Sequence, residues 1–252
     1  VEIHELNETL NYAARELKKV EGLRKELIAN MSHDLRTPLT MISGYGEMMR
    51  DIPGENNAEN VQVIIDEANR LTTLVNEILD VSKLQSGVQS LEISTFDIVS
   101  KTKQICNRIE KMLKRDFTIK MDQIGPVLVD GDEVKLTQVI YNLITNAVNY
   151  SEDRKEIIIH QEVKDGIYHF AVQDFGKGIK KDMLPYVWDR YYRANTAHVR
   201  AKLGSGIGLS IVKGILELHH AQYGVESEEG RGSTFWFSIQ IHQEDQAKNA
   251  PE

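Results

Sequence analysis

Asn30-Met31-Ser32-His33-Asp34-Leu35-Arg36-Thr37-Pro38-Leu39 is the stretch on which the reading of this chain turns. It sets an imidazole, a carboxylate and a hydroxyl on neighbouring turns of what the flanking residues predict to be a long helix. Apolar Ile28, Met31, Leu35, Leu39 and Ile42 follow three- and four-residue steps, the spacing of a buried helical stripe. His33 stands two residues from both Met31 and Leu35, so at about 100° per residue it projects about 200° away from each. It therefore faces water or a partner. Asp34 can accept a hydrogen bond from one ring nitrogen, which fixes the tautomer and leaves the other nitrogen nucleophilic. Thr37 lies one turn beyond His33 on the same face, and Pro38, lacking a backbone donor, is expected to bend the helix just after it. An isolated histidine on a helix is ordinarily a solvated surface residue; these neighbours give His33 a chemistry.

At 252 residues the chain is long enough for an ordinary core and more in keeping with two domains than one. Its net charge of −8 argues against nucleic acid as a partner, which would require a basic surface. The single cysteine, Cys106, rules out an internal disulfide framework, fits a reducing compartment and reads as a small buried hydrophobe. No run of about 18 apolar residues occurs, so nothing in this chain is expected to span a membrane. Its opening, Val-Glu-Ile-His-Glu-Leu, is neither a signal peptide nor an ordinary start, and we expect a fragment of a longer protein.

Working outward from His33, Leu6, Leu10, Ala13, Leu17 and Val20 recur in heptad steps, predicting a coiled-coil signalling helix over 1–21, with a phase change across 20–28. The first helix should run to about Arg50. The stretch Asp51 to Asn57 carries turn chemistry, with Asn56 or Asn57 as the cap of a second helix that Gly87 closes. Val61, Ile64, Ala68, Leu71, Val75 and Ile78 form its apolar face, widened by Leu74, Val81 and Leu84. Two such helices cannot bury both faces against each other alone. Pairing two hairpins into a four-helix bundle does so, which predicts a homodimer built on residues 22–88.

After Gly87 the texture changes. Strands are predicted at 91–96, 117–121, 127–129, 156–163 and 168–173, with a closing hairpin through 235–239. Helices are predicted over 98–114, from an Asp132 cap to Tyr150, near 183–192 and near 208–220. Without strict βαβ alternation, this mixture predicts an α+β two-layer sandwich over 89–243 with helices on one sheet face, then a polar tail at 244–252. The fold class is thus multidomain: an all-α hairpin followed by an α+β domain.

Four clusters in this second part carry chemistry. Asn142 and Asn146 stand one helical turn apart, and two amide oxygens on one face suit a Mg²⁺ that borrows its other ligands from phosphates and water. Asp174-Phe-Gly-Lys-Gly-Ile179 is a strand end entering a glycine turn, where a carboxylate can accept from an exocyclic amine such as that of adenine while Gly176 and Gly178 let a ring approach the backbone. Val187-Trp188-Asp189-Arg190-Tyr191-Tyr192-Arg193 offers aromatics to dock the base of a loop and Arg193 as a phosphate clamp. Gly204-Ser-Gly206-Ile-Gly208-Leu209 leads into a helix whose N-terminal N–H groups suit a triphosphate. Taken singly, the first is more often polar surface, the second could be any turn and the third an ordinary amphipathic helix end, while the fourth is more specific than a lone glycine pair. Asp174-Phe-Gly176 also spells the magnesium triplet of eukaryotic-type protein kinases, but the loops that accompany it there are missing.

The box around His33 resembles the phosphoacceptor box of sensor histidine kinases of bacterial two-component systems. Residues 30–240 together resemble the core of that family: a dimerisation and phosphotransfer hairpin followed by an ATP-binding domain of the kind shared with gyrase, Hsp90 and MutL. The resemblance implies autophosphorylation of His33 from ATP, assisted by Asp34, and relay to an aspartate on the receiver domain of a response regulator. It also implies phosphatase activity through Thr37. It places Asn142, Asn146 and Tyr150 in the N box, Asp174, Gly176, Gly178 and Ile179 in the first glycine box, Arg193 in the F box, and Gly204, Gly206, Gly208 and Leu209 in the second glycine box, with ATP and Mg²⁺ bound among them. Tyr150 would stack near the adenine. Asn149 replaces a frequent lysine, Trp188 a common phenylalanine and Phe175 a frequent asparagine. A hinge near Ser86 to Gln89 would let the ATP domain reach the hairpin. The implied setting is the cytoplasmic side, with membrane attachment only through segments absent from this chain. An ATP-gated clamp or scaffold without phosphotransfer is the alternative.

Overall fold

The computed structural model describes residues 2–85, 91–113, 117–151, 154–188 and 207–243. The chain divides into two compact units, Val1–Ile78 and Leu79–Glu252.

The first unit is a helical hairpin. Helix α1, Glu2–Asp51, runs through Pro38 without interruption, and α2, Ala58–Gln85, follows a short turn. Gly54 takes a φ of 93° in that turn, where a side chain would be strained. Asn57, one of the two anticipated caps, accepts from the Asn60 N–H at 2.9 Å. On α1 the inward side comprises Met31, Asp34, Leu35, Pro38, Ile42 and Tyr45, and on α2 Leu74 is buried with Ile64, Leu71 and Ile78 beside it. Leu39, Val61 and Val75, expected on the same stripes, remain substantially exposed in the single chain. The coiled-coil positions Leu6 to Val20 lie outside the described side chains, and the hinge at 86–89 outside the described residues.

In the second unit, strands β1 (Ile93–Asp97) and β3 (Leu128–Asp132) form a small antiparallel pair, while β2 (Thr118–Met121), β4 (Glu156–Lys164), β5 (Ile167–Asp174), β6 (Gln222–Glu228) and β7 (Gly232–Gln240) make a five-stranded sheet ordered β2-β4-β5-β7-β6. Only β2 and β4 run parallel within it. Tyr168, Phe170, Val172 and Asp174 alternate inward along β5, and Phe235, Phe237 and Ile239 along β7. Helices α3 (Ile98–Met112), α4 (Glu133–Tyr150) and α5 (Gly208–Leu218) pack against this sheet. The anticipated helix near 183–192 is replaced, over its described part, by a single 3-10 turn at Leu184–Tyr186 with Pro185 in it. Proline suits a first turn, and the apolar spacing there serves to dock Val187 and Trp188 instead. Cys106 is buried and burial pushes its thiol up to about 12, as for a small apolar side chain of the core.

The start of α4 and the end of α5 are tied to each other. The Asp132 carboxylate caps α4 by accepting from the Lys135 N–H, as anticipated, and the Asp132 N–H donates to His219 Nε2 at 3.0 Å. His219 Nδ1 faces the Ile215 carbonyl at 2.8 Å, so the ring must be neutral with its proton on Nδ1. Burial lowers its pKa and Lys135 and His220 add to this, against the Ile215 bond and Asp132. A depressed folded pKa means that the stabilisation is complete above the unfolded value of about 6.5 and is lost as pH falls through the folded one. Thermal melts between about pH 7.5 and pH 5 should show falling stability of this unit. His219→Gln, which cannot be protonated, should flatten that slope; an unchanged slope would remove His219 from the account.

Candidate active site

At the end of β5 the Asp174 side chain is only 2% exposed. Its Oδ1 accepts from the Gly176 N–H at 2.9 Å and the Ser233 N–H at 3.2 Å, while Oδ2 has no hydrogen-bond partner among the described residues. Desolvation lifts the carboxyl above the usual carboxylate range and these two donors pull the other way. The turn that follows is fitted backbone on backbone. A Cβ on Gly176 would stand 2.0 Å from the Tyr150 carbonyl oxygen, and one on Gly178, whose φ is 67°, 2.1 Å from that of Glu228. These contacts explain why glycine is needed at both places. They also join the C-terminal end of α4 to the glycine turn, bringing the first and second clusters together.

The described end of the fourth cluster lies near α4. Gly208 opens α5, and a Cβ there would lie 4.0 Å from the Asn142 amide carbon. Asn142 and Asn146 are half-buried on α4, and their side-chain amides make no hydrogen bond among the described residues. Tyr150, at the end of α4, is 58% exposed. Leu209 is half-buried on the first turn of α5, behind buried Ile207. Ile179 donates its N–H to Ser227 Oγ. Arg193, Gly204 and Gly206 lie outside the described residues. Of the third cluster, Trp188 meets Tyr223 and Phe235 edge-on at 4.9 and 5.6 Å between ring centroids, consistent with an anchored base for the segment beyond it.

Three participants went unread in the sequence: Ser227, Gly232 and Ser233, all from the β6–β7 hairpin. A Cβ on Gly232 would stand 2.1 Å from the Asp174 carbonyl oxygen. The turn Gly230-Arg231-Gly232 ahead of an alternating strand was the available signal. Arg154 was also missed. Its guanidinium caps the Phe175 ring at 3.7 Å from the centroid and is held by Glu156, which also pairs with Lys120.

Among the described residues no group of three or more His, Cys, Asp and Glu side chains is placed to hold a metal ion. The paired amide oxygens of Asn142 and Asn146 are hard donors that fit a Mg²⁺ drawing its remaining ligands from phosphate and water. A separate groove of about 460 Å³ on the sheet, lined by His160, His169 and Trp236, contains none of these residues.

In the first unit, His33 is 79% exposed, and its Nδ1 lies 3.5 Å from Asp34 Oδ1, with Asp34 mostly buried. The Thr37 hydroxyl donates to the His33 carbonyl at 3.3 Å.

Comparison with known proteins agrees with both halves. The family described as His Kinase A (phospho-acceptor) domain matches residues 23–87, and that described as histidine kinase-, DNA gyrase B-, and HSP90-like ATPase matches residues 131–243. The chain is 30% identical to the sensor histidine kinase YkoH of Bacillus subtilis over 95% of its length, and 33% identical to the phosphate regulon sensor protein PhoR of Pseudomonas aeruginosa over 86%. It spans about half of those relatives, 53% and 50% respectively. In fold it matches the histidine kinase ThkA, solved in complex with the response regulator TrrA, with a TM-score of 0.67 at 24% identity, covering 89% of this chain and 64% of that one. It also matches full-length ShkA, solved with AMPPNP, with a TM-score of 0.63 at 23% identity, covering 87% and 46%. The class defined by these two units is a phosphoacceptor hairpin joined to a GHKL-type ATPase fold. The chain belongs to the sensor histidine kinases.

Because the folded pKa of Asp174 is raised, its ionised form costs the fold stability as pH rises through that value. Asp174→Asn keeps an acceptor for Gly176 and Ser233 but removes the charge. At pH 7 without nucleotide, the variant should melt at a higher temperature than the parent chain, and the difference should close below about pH 4, where both are neutral. A variant that melts lower at pH 7 would contradict the cost assigned to this carboxylate.

Proposed function

We propose that this chain phosphorylates itself on His33 from ATP and passes the phosphoryl group to an aspartate of a response regulator receiver domain. The observation that carries the reading is the pairing in one chain of a water-facing His33 beside Asp34 with a buried Asp174 whose second oxygen has no hydrogen-bond donor among the described residues. In the proposed step a neutral His33 attacks the γ-phosphorus through Nε2. The N–P bond forms as the bond to the ADP oxygen breaks, and the proton left on Nδ1 is oriented or taken up by Asp34. Their 3.5 Å separation in the free chain is at the outer edge of hydrogen bonding and is expected to tighten on engagement.

Asp174 Oδ2 accepts from the exocyclic amine of adenine in this reading, and Gly176, Gly178 and Ile179 line the base while Tyr150 stacks near it. The N–H groups opening α5 at Gly208 and Leu209, with Arg193, Gly204 and Gly206, serve the phosphates. Asn142 and Asn146 would hold Mg²⁺, which when bound offsets charge developing on the phosphates. The similarity to ShkA, solved with AMPPNP, supports a nucleotide in this fold, and that to ThkA, solved with a response regulator, supports the partner.

Homodimerisation follows from the apolar positions Leu39, Val61, Ile65 and Val75, which one hairpin leaves exposed and a second copy would cover. Phosphatase action toward the regulator is assigned to Thr37, whose hydroxyl would exchange its bond to the His33 carbonyl for a water. The domain bounds of the proposal are 22–88 for the hairpin and 89–243 for the ATP-binding domain. No described helix is long and apolar enough to cross a membrane; a cytoplasmic position and anchoring by further segments are part of the proposal.

Incubation of the full chain with γ-labelled ATP and Mg²⁺ should give acid-labile, alkali-stable label that His33→Gln abolishes; label persisting in that variant would overturn the assignment. Thr37→Ala should keep self-labelling and lose regulator dephosphorylation, and unchanged dephosphorylation would remove Thr37 from that role.

A further inference from the structure

The β6–β7 hairpin does more than complete the sheet. Its backbone abuts the glycine turn on both flanks, Glu228 against Gly178 and Gly232 against Asp174, close enough that neither glycine tolerates a Cβ. The Gly230 N–H donates to the Lys177 carbonyl at 2.7 Å, and the Ser233 N–H donates to Asp174 Oδ1. At the centre of this contact is one hydroxyl. Ser227 Oγ accepts from the Ile179 N–H at 2.8 Å, donates to the Gly232 carbonyl at 2.8 Å and lies 3.0 Å from Ser233 Oγ.

A serine hydroxyl has one proton to give and two lone pairs to receive. With its proton on the Gly232 carbonyl, Ser227 can accept from both Ile179 N–H and the Ser233 hydroxyl, so all its hydrogen-bonding capacity is used. Two of those bonds bracket Asp174 in space: one holds the end of the turn that follows it, the other the residue beside Ser233, whose N–H holds its Oδ1. Removing the hydroxyl would leave the Ile179 N–H and the Gly232 carbonyl unpaired and would free the turn to move relative to the hairpin. Fixing Oδ1 through Ser233 is what leaves Oδ2 pointing in one direction.

We infer that Ser227 is a positioning residue for nucleobase selection: it clamps the Asp174–Ile179 turn to the β6–β7 hairpin so that the free oxygen of Asp174 meets a purine amine and not a purine carbonyl. This rests on the reading of Asp174 as the acceptor for the base. It assigns to Ser227 no contact with nucleotide.

The test is titration of the full chain with ATP and with inosine triphosphate, which carries a carbonyl where ATP carries the amine. The parent should prefer ATP. Ser227→Ala should shrink that preference by about tenfold through weaker ATP binding, in line with leaving buried polar groups unpaired, and Ser227→Thr, which restores a hydroxyl, should recover it. Should the alanine variant not fold, Ser227→Cys, which keeps the bulk and weakens the bonds, is read by the same ratio. Loss of melting temperature in Ser227→Ala with the ATP preference intact, while Asp174→Asn abolishes that preference, overturns the inference and leaves the reading of Asp174 standing. An ATP preference that survives Asp174→Asn overturns both.

Discussion

Withdrawing a carboxylate from water at the end of a central strand imposes conditions that the rest of the second unit has to meet. Burial alone raises the pKa of Asp174, since an unpaired charge in a low-dielectric setting is costly. Two backbone N–H groups, from Gly176 and Ser233, reach the same oxygen. For them to do so, the chain must reverse immediately after the strand and the β6–β7 hairpin must come within backbone contact of the reversal. Glycine at 176, 178 and 232 makes that approach possible, because at each place a Cβ would overlap a carbonyl oxygen. The site is therefore a packing solution first. Its chemistry is what the packing leaves over: one carboxylate oxygen without a hydrogen-bond partner among the described residues.

The parts legible in the sequence were those whose causes lie within a few residues. Asn57 and Asp132 cap the helices they precede through side chains reaching three residues along the chain, and the alternation of β5 and β7 follows from one face meeting the helices. The glycine turn was visible for the same reason. What could not be read is held by bonds between distant segments. Ser227 to Ile179, Ser233 to Asp174 and His219 to Asp132 join residues 48, 59 and 87 positions apart. The helix anticipated near 183–192 failed over its described part for a related reason. Its apolar spacing is real, but burial of Val187 and docking of Trp188 against the hairpin strands use it, and Pro185 favours a single tight turn.

The two units meet opposite demands. In the proposed reaction a nucleophile offered in turn to a nucleotide and to a partner protein has to stand in solvent, and His33 is exposed. Its tautomer is then the only thing the protein can prepare in advance, which Asp34, mostly buried beside it, is placed to do. Base recognition requires the reverse: exclusion of water, so that a single hydrogen bond discriminates strongly. No one surface satisfies both demands, which gives a physical reason for dividing the work between a hairpin and a separate sandwich.

Selectivity in the proposed site then follows from a penalty more than from an attraction. Oδ2 of Asp174 is a desolvated acceptor, and a base presenting a carbonyl would set oxygen against oxygen, leaving both groups unpaired as well as repelling. A base presenting an amine removes the defect. Sites built around a buried hydrogen-bonding group reject the ligand that cannot complete it far more strongly than apolar pockets reject a change of size. That rejection holds only while the carboxylate cannot turn to find another donor. Rigidity is therefore the specificity-determining property here, and it is supplied by residues that never need to touch the ligand. Ser227 and the glycines around it belong to recognition because they deny Asp174 any other partner.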